Sequence, residues 1–287
     1  MKICILGGTG QLGHELNEAL KDYDVYSFDK LDLNITNPYK CFDTLSRIKP
    51  DYIINNAGHN DVEFCEEKKN LAYEVNTKGA SNISKINEEL KSKLIHISTD
   101  YVFDGKKASP YNENDTPNPV NVYGTTKYKG EIEVQKNTDR YFIIRTSWLY
   151  GVRGKNFINT VLNLSSDNTI LKVVNDQIGC PTYTVDLSLA IKDIIREGDY
   201  GVYHCVNEGC CSWYDLAIEI CKVKGIDAKI SPLSSAEINK KAIRPKNTSL
   251  NNNSAIKLRH WSEALSEYLS KKSVSYTHLT LPTKRIV

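Results

Sequence analysis

The chain has 287 residues, enough for one large domain or two smaller ones with a full hydrophobic core. Its formal net charge is +2 and it has no basic block, so its composition gives nucleic acid binding no electrostatic support. No apolar run is long enough for a membrane span, and the first residues pass directly into a strand pattern rather than a signal peptide. We therefore expect a cytoplasmic protein without a membrane or nucleic acid partner.

The spacing of the eight cysteines supports the same compartment. They include no Cys-x-x-Cys pair, and Cys210 and Cys211 are adjacent. This usage is typical of reduced cytosolic thiols rather than of a disulfide framework or a zinc site. We expect no bound metal.

The first predicted element is an apolar strand over residues 2–7 that leads into a glycine-rich turn. Gly7, Gly10 and Gly13 recur at every third position, and the apolar spacing beyond them predicts a helix over residues 11–21. Glycine lets the backbone turn sharply and approach a pyrophosphate, and a helix N-terminus favours negative charge. The turn therefore predicts a dinucleotide site, although a purely structural turn has the same pattern.

The second predicted strand, residues 25–28, is followed by Asp29 and Lys30. In dinucleotide-binding folds a carboxylate about 20 residues beyond the glycines binds the adenosine ribose. Lys30 would instead suit a 2′-phosphate, and either residue is equally compatible with a plain loop charge. The sequence leaves the choice between NADH and NADPH open.

Strand-like and helix-like segments alternate, which predicts an α/β fold with a doubly wound parallel sheet and helices on both faces. Further strands are expected at residues 51–56, 94–99 and 141–147, and further helices at 38–48, 64–91 (with a possible break) and 123–137. Beyond residue 150 the alternation loosens, with helices near 154–165, 185–196, 212–224 and 261–270 and extended segments at 171–174 and 201–206.

This loosening predicts a smaller, interleaved C-terminal lobe. We expect a dinucleotide-binding domain over residues 1–150 with a returning segment near 175–205, and a substrate-binding lobe mainly over 151–272. Residues 273–287 continue no periodicity, and we interpret them as a cloning or read-through extension. A genuine C-terminal arm is the alternative.

Tyr123 and Lys127 lie four residues apart in a predicted helix, and therefore on one face. A neighbouring ammonium favours phenolate, so the pattern predicts a lowered pKa for Tyr123 and proton transfer near neutral pH. The same spacing is frequent on solvated helix faces, so the pair gains weight only from other motifs.

Two predicted strands end in residues suited to a ligand crevice. Ala57 and Gly58 give a flat cofactor access to backbone, and Ser98 and Thr99 place hydroxyls at the end of a neighbouring strand. Carboxyl ends of parallel strands line the crevice of open α/β sheets. Thr99 is thus expected to donate to the oxygen that Tyr123 protonates.

In their order, the motifs at residues 7–13, 55–58, 98–100 and 123–127 resemble those of the extended short-chain dehydrogenase/reductase superfamily. Within it the chain is similar to the dTDP-4-dehydrorhamnose reductase family. The segments that carry this similarity are residues 10–16, 98–105, 121–127, 145–151, 175–182 and 244–248.

The resemblance implies a Rossmann-like, NAD(P)H-dependent enzyme that reduces the C4 ketone of dTDP-4-dehydro-6-deoxy-L-mannose to dTDP-L-rhamnose, as a monomer or homodimer. It implies catalytic roles for Tyr123 as proton donor, for Lys127 at the nicotinamide ribose and for Thr99 at the sugar carbonyl. The implied cofactor-binding residues are Gly7, Gly10, Gln11, Leu12, Gly13, Asp29, Asp32, Leu33, Gly58, His59, Asn60, Tyr123 and Lys127. The implied substrate-binding residues are Thr99, Asp100, Trp148, Arg244 and Asn247.

The chain departs from the family pattern at a metal site. Some relatives hold Mg²⁺ at a dimer interface through glutamates from two segments. Glu15 matches one position, but Tyr183, Thr184 and Val185 stand where the second glutamate is expected. We therefore expect no metal-bridged dimer and interpret Glu15 as a helix-surface charge.

Two other functions stay open at this stage. A nucleotide-sugar dehydratase or epimerase would keep the fold, but Tyr101 follows Asp100 where dehydratases complete an acid pair. A non-catalytic regulatory subunit of a methionine adenosyltransferase also resembles this family. Intact Thr99, Tyr123 and Lys127 favour an active enzyme over such a binding module.

Overall fold

The computed structural model describes residues 1–165, 170–253 and 256–279, with residues 272–279 described through their backbone alone. The first half contains β1 (Lys2–Leu6), α1 (Gln11–Ala19), β2 (Asp24–Phe28), α2 (Pro38–Ile48), β3 (Tyr52–Asn55), α3 (Val62–Glu67), α4 (Lys69–Tyr73), α5 (Ala80–Leu90), β4 (Lys93–Thr99), α6 (Val122–Asn137) and β5 (Tyr141–Thr146). The second half contains β6 (Leu149–Tyr150), α7 (Phe157–Leu164), β7 (Leu171–Val174), β8 (Ile178–Gly179), β9 (Thr182–Tyr183), α8 (Thr184–Glu197), β10 (Gly201–His204), β11 (Cys211–Ser212), α9 (Trp213–Lys224), β12 (Ile230–Leu233) and α10 (Trp261–Leu279).

Six parallel strands form the central sheet in the order β2-β1-β3-β4-β5-β10. Because side chains alternate along a strand, Ile3 and Ile5 pack with α1 and α8 on one face, whereas Cys4 and Leu6 pack with α2 and α5 on the other. Both faces are covered, which explains why the strands read as continuous apolar runs. The predicted doubly wound α/β class is confirmed.

The sheet has a topological switch point between β1 and β3. The chain runs from β1 through α1 to the edge strand β2, and then returns through α2 on the opposite face to β3. The connections therefore diverge and leave a crevice at the carboxyl ends of these two strands.

The second half of the chain contributes to both lobes. Helix α8 packs in the same core as α1, and β10 pairs with β5 at the sheet edge. A second core forms between α7, α9 and α10, where the rings of Tyr150, Tyr183 and Tyr268 pack together. The exact domain boundaries stay a prediction.

The possible break in the helix over residues 64–91 is confirmed, and two other local expectations change. The helix expected over residues 64–91 is broken into α3, α4, a π-helical turn (Glu74–Gly79) and α5. Helix α7 begins at Phe157 because Asn156 caps it by accepting a hydrogen bond from the Asn159 amide at 3.0 Å. Helix α10 continues to Leu279 rather than ending near residue 270, and residues 280–287 lie outside the described chain, so the origin of the tail stays a prediction.

The interpretation of Glu15 as a helix-surface charge is wrong. Its side chain belongs to the buried face of α1 and is only 9% exposed. Burial raises the pKa of its carboxyl group, and the cations of His14 and Lys271 oppose that shift. The reason is tertiary: the face of α1 that looks polar in sequence is covered by the second half of the chain.

None of the described helices is long and apolar enough to cross a bilayer.

Candidate active site

A cavity of about 820 Å³ lies at the crevice formed by the carboxyl ends of the central strands. It brings together most of the predicted site residues, namely Gly7, Gly10, Gln11, Leu12, Asp29, Leu33, Gly58, His59, Asn60, Thr99, Asp100, Tyr123, Lys127, Trp148 and Arg244. Three predicted residues, Gly13, Asp32 and Asn247, are not part of its wall.

The glycine turn forms one end of the cavity. Gly7 has a φ of 82°, and a Cβ there would lie 3.0 Å from the backbone of Asn56 and Ala57. A Cβ on Gly13 would lie 2.3 Å from the Gly7 carbonyl oxygen, so this glycine lets α1 pack onto the turn rather than contacting a ligand. Helix α1 begins after Gly10 with no side-chain cap. Its amide groups are therefore available to an anion, and the turn fits a dinucleotide diphosphate.

The end of β2 forms the adjacent wall. Asp29 accepts hydrogen bonds from the Leu31 and Asp32 amides at 2.7 and 3.0 Å, which hold the pKa of its carboxyl group below the usual range. Asp32 in turn accepts from the Asp29 amide at 3.2 Å, so it braces this loop from outside the cavity. Lys30 lines the cavity beside Asp29. Groups suited to NADH and to NADPH are thus both present.

Helix α6 carries Tyr123 and Lys127 to the cavity. Asn121 caps the helix by accepting from the Gly124 amide at 2.8 Å. The Thr99 hydroxyl, at the end of β4, lines the same cavity beside the Tyr123 phenol. The ring of Tyr123 also contacts Tyr101 edge-on, with centroids 5.7 Å apart. The predicted catalytic hydroxyls are therefore neighbours.

The expected lowering of the Tyr123 pKa is wrong for this structure. Burial raises the pKa of Tyr123, and the neighbouring Thr99 hydroxyl only opposes the shift. The Lys127 ammonium instead donates to the Ile97 carbonyl at 2.5 Å, and burial lowers the pKa of Lys127 to about 8. Removal of water outweighs attraction between neighbouring charges here. A phenol with a raised pKa retains its proton at neutral pH, as a proton donor must.

Asp100 lies in the cavity wall, but its carboxylate is fully engaged by the protein. It accepts hydrogen bonds from Thr99 and Ser147, each at 3.0 Å, and from Thr248. Burial raises its pKa to about 6 although these hydroxyls oppose the shift. The group therefore orients the Thr99 hydroxyl, a role that the sequence did not indicate for it. Ser147 and Thr248 lie in two of the segments that carry the family similarity, but the sequence indicated no role for either residue.

Two stacked tryptophans form the opposite end of the cavity. The rings of Trp148 and Trp213 lie parallel, with centroids 3.4 Å apart, and Phe157 packs on Trp213. Trp148 has a φ of 45°, and its other side faces Gly179, where a Cβ would lie 2.4 Å from the indole. Sequence reasoning missed Trp213 because it begins a helix outside every motif.

The two predicted nucleotide-sugar contacts differ in position. Arg244 lines the cavity and forms an ion pair with Glu63 of α3 at 2.8 Å. Asn247 lies outside the wall, because its amide donates to the Lys107 carbonyl at 2.9 Å and fixes the loop there.

Asn76, in the π-helical turn, is a further residue that no motif indicated. Its buried side chain accepts from the His59 amide at 2.8 Å and donates to Thr126 at 3.1 Å. It thereby joins the cofactor-side loop at Gly58 to α6, next to Lys127. The irregular helical turn, which interrupts an otherwise regular pattern, is what places this side chain inward.

The chain matches known proteins along nearly all of its length. The family model described as the RmlD substrate binding domain matches residues 1–274. The spore coat polysaccharide biosynthesis protein SpsK of Bacillus subtilis is 38% identical, over 95% of this chain and 98% of that protein. A dTDP-4-dehydrorhamnose reductase structure from Clostridium acetobutylicum is 41% identical with a TM-score of 0.93, covering 95% and 100% of the two chains. That from Bacillus anthracis, in complex with NADP, is 38% identical with a TM-score of 0.91, covering 94% and 99%.

The fold and the site define a nicotinamide-dependent oxidoreductase of the short-chain dehydrogenase/reductase class. Its glycine turn, its Thr99–Tyr123 pair and its Rossmann-like sheet are the features that carry this assignment. The chain belongs to the RmlD family, the family of the dTDP-4-dehydrorhamnose reductases.

Proposed function

We propose that this protein reduces the C4 ketone of dTDP-4-dehydro-6-deoxy-L-mannose, giving dTDP-L-rhamnose, with NADH or NADPH as cofactor. The observation that carries the proposal is the position of the Thr99–Tyr123 hydroxyl pair in the wall of a cavity that also contains the glycine turn. Relatives over nearly the whole chain are named as reductases of this sugar nucleotide, which supports the same substrate.

When bound in this cavity, a reduced nicotinamide would supply the hydride. Tyr123 donates its proton to the ketone oxygen as negative charge develops there. Thr99 assists at the same oxygen by turning its hydroxyl proton toward it, away from the Asp100 carboxylate that accepts this proton in the free protein. Lys127 would hold the nicotinamide ribose, and it adds positive charge to the site while it is protonated. Fixed donors of this kind usually make the largest single contribution to stabilising a developing oxyanion.

The remaining contacts divide between the two ligands. The amides at the start of α1 would hold the cofactor diphosphate, and Asp29 or Lys30 its adenosine end. Trp148, Trp213 and Arg244 would bind the sugar nucleotide, with the Arg244 guanidinium released from Glu63 to pair with its diphosphate. We assign no metal to the reaction. We also propose that the protein is cytoplasmic and is a monomer or a homodimer. Light scattering after gel filtration would distinguish these two oligomeric states.

The decisive experiment follows oxidation of NADH and of NADPH in the presence of an enzymatically prepared 4-keto-6-deoxy sugar nucleotide. Mass spectrometry and NMR of the product must show a new secondary alcohol at C4 with the L-rhamno configuration. Cofactor that stays reduced would overturn the proposal. Tightly retained NAD⁺ with isomerised or dehydrated product would instead indicate a dehydratase or epimerase, and inactivity combined with capture of a methionine adenosyltransferase would indicate a regulatory subunit.

A further inference from the structure

Two cysteine side chains meet in the C-terminal lobe, outside the cavity. The Sγ atoms of Cys180 and Cys210 lie 3.3 Å apart, and both residues are free thiols. Strands β8 and β11 are antiparallel with Gly179 opposite Cys211, so continuing this register by one residue places Cys180 opposite Cys210. Directly opposed residues of antiparallel strands have Cα atoms about 4.5–5.5 Å apart, within the range that a disulfide spans.

The two thiols have different surroundings. Cys210 is exposed, whereas Cys180 is buried and its sulfur accepts a hydrogen bond from the Leu250 amide at 3.4 Å. The contact with Cys180 lowers the pKa of Cys210 to about 7, and that contact together with burial raises the pKa of Cys180. An accessible sulfur with thiolate character beside a second sulfur is the arrangement in which thiols are selectively oxidised.

We propose that Cys180 and Cys210 form a modification site for hydroperoxides, which convert the two thiols into a cross-strand disulfide. The Cys210 thiolate attacks the peroxide, so an S–O bond forms, the O–O bond breaks, and the departing oxygen takes a proton to become an alcohol or water. The Cys180 sulfur then attacks the sulfenic sulfur of Cys210. The S–S bond forms, the S–O bond breaks, and hydroxide leaves with the Cys180 proton as water. The two sulfurs together lose two electrons to the peroxide.

This disulfide would fix the strands that support the tryptophan stack. Gly179, just before Cys180, packs on Trp148, and Trp213 follows β11 directly. The Cys180 amide also donates to Ser147 at 3.4 Å, on the substrate side of the cavity. Oxidation therefore rigidifies this part of the lobe, and closing the chain between residues 180 and 210 restricts the unfolded state.

The experiment treats the purified, fully reduced chain with hydrogen peroxide and removes the excess before analysis. Thiols titrated in denaturant should fall from eight to six, and peptide mapping should show the segment with Cys180 joined to that with Cys210. The oxidised protein should unfold at a temperature about 5 °C higher, and a dithiol reductant should reverse both changes. Eight remaining thiols, or a different pairing, would overturn the proposal.

Two variants identify the pair. Cys210→Ser, at an exposed position, should keep all seven of its remaining thiols after the same peroxide treatment, and should gain no thermal stability. Cys211→Ala removes the adjacent thiol but keeps the apolar contact of β11, and it should still lose two thiols. Loss of disulfide formation in Cys211→Ala would assign the reaction to neighbouring Cys210 and Cys211 and so refute the cross-strand pair. Circular dichroism before treatment verifies that both variants are folded.

Discussion

Gly124 lies so close to Tyr101 that a Cβ on the glycine would stand 2.0 Å from the Tyr101 carbonyl oxygen. This contact joins the first turn of α6 to the turn that follows β4. Tyr123 is therefore held beside Thr99 by backbone packing, and the position of the proton donor depends on a residue that has no side chain.

Replacing Gly124 with alanine should displace the start of α6. We expect the free energy of unfolding to fall by about 1–3 kcal/mol because backbone must move to admit the methyl group. Turnover should fall by about 10²-fold because Tyr123 moves with the helix. Denaturant unfolding and steady-state kinetics measure both effects. Thr125→Ala, one residue further along and outside the cavity wall, is the control, and wild-type kinetics in Gly124→Ala would contradict this account.

Tyr123→Phe removes the donated proton while keeping the ring. We expect kcat to fall by roughly 10²–10³-fold, with little change in the Kd of NADPH measured by fluorescence titration. Tyr128→Phe, on the same helix but outside the cavity wall, should retain full turnover. Near-normal kcat in Tyr123→Phe would exclude this phenol as the proton donor.

Asp100 should make the folded chain less stable as the pH rises, which is the opposite of what an ion-paired carboxylate does. Its pKa is raised to about 6, so between pH 4 and 6 the folded chain binds its proton more tightly than the unfolded chain does. The stabilisation that the protonated Asp100 carboxyl group provides is complete below about pH 4, and it is lost as the pH rises through 6. The free energy of unfolding of wild type should therefore fall by about 3 kcal/mol relative to that of Asp100→Asn between pH 4 and 6. Above pH 6 the difference between the two proteins should stay constant.

Urea unfolding of wild type and Asp100→Asn at several pH values tests this, because titrations common to both proteins cancel in the difference. A difference that grows in favour of wild type between pH 4 and 6 would mean that the carboxyl group is stabilised in its ionised form, contrary to the observed burial.

Trp213→Ala should weaken binding of the sugar nucleotide. Removing one ring of the stack frees Trp148 and enlarges the cavity, so we expect KM for the sugar to rise about tenfold with the cofactor Kd unchanged. Trp213→Phe should recover most of the affinity. Trp261→Phe, in the buried core of the C-terminal lobe, is the control and should change stability without changing KM. An unchanged KM in Trp213→Ala would place the sugar elsewhere.

The local sequence determined much of this protein by itself. Apolar runs, the glycine repeat and the helix caps specified the strands of the sheet, the turn after β1 and the start of α6, because each depends on a few neighbouring residues. The order of the motifs also predicted which strand ends share a crevice, since parallel strands present their carboxyl ends at one edge.

Only the tertiary structure decided the electrostatics and the second wall of the cavity. Tyr123 and Lys127 have the expected spacing, but burial, which no local pattern reports, raises one pKa and lowers the other. Asp100 turns inward because Ser147 and Thr248, distant in sequence, supply hydroxyls to its carboxylate. Such properties depend on which distant residues exclude water and supply hydrogen bonds, and the folded chain alone fixes that.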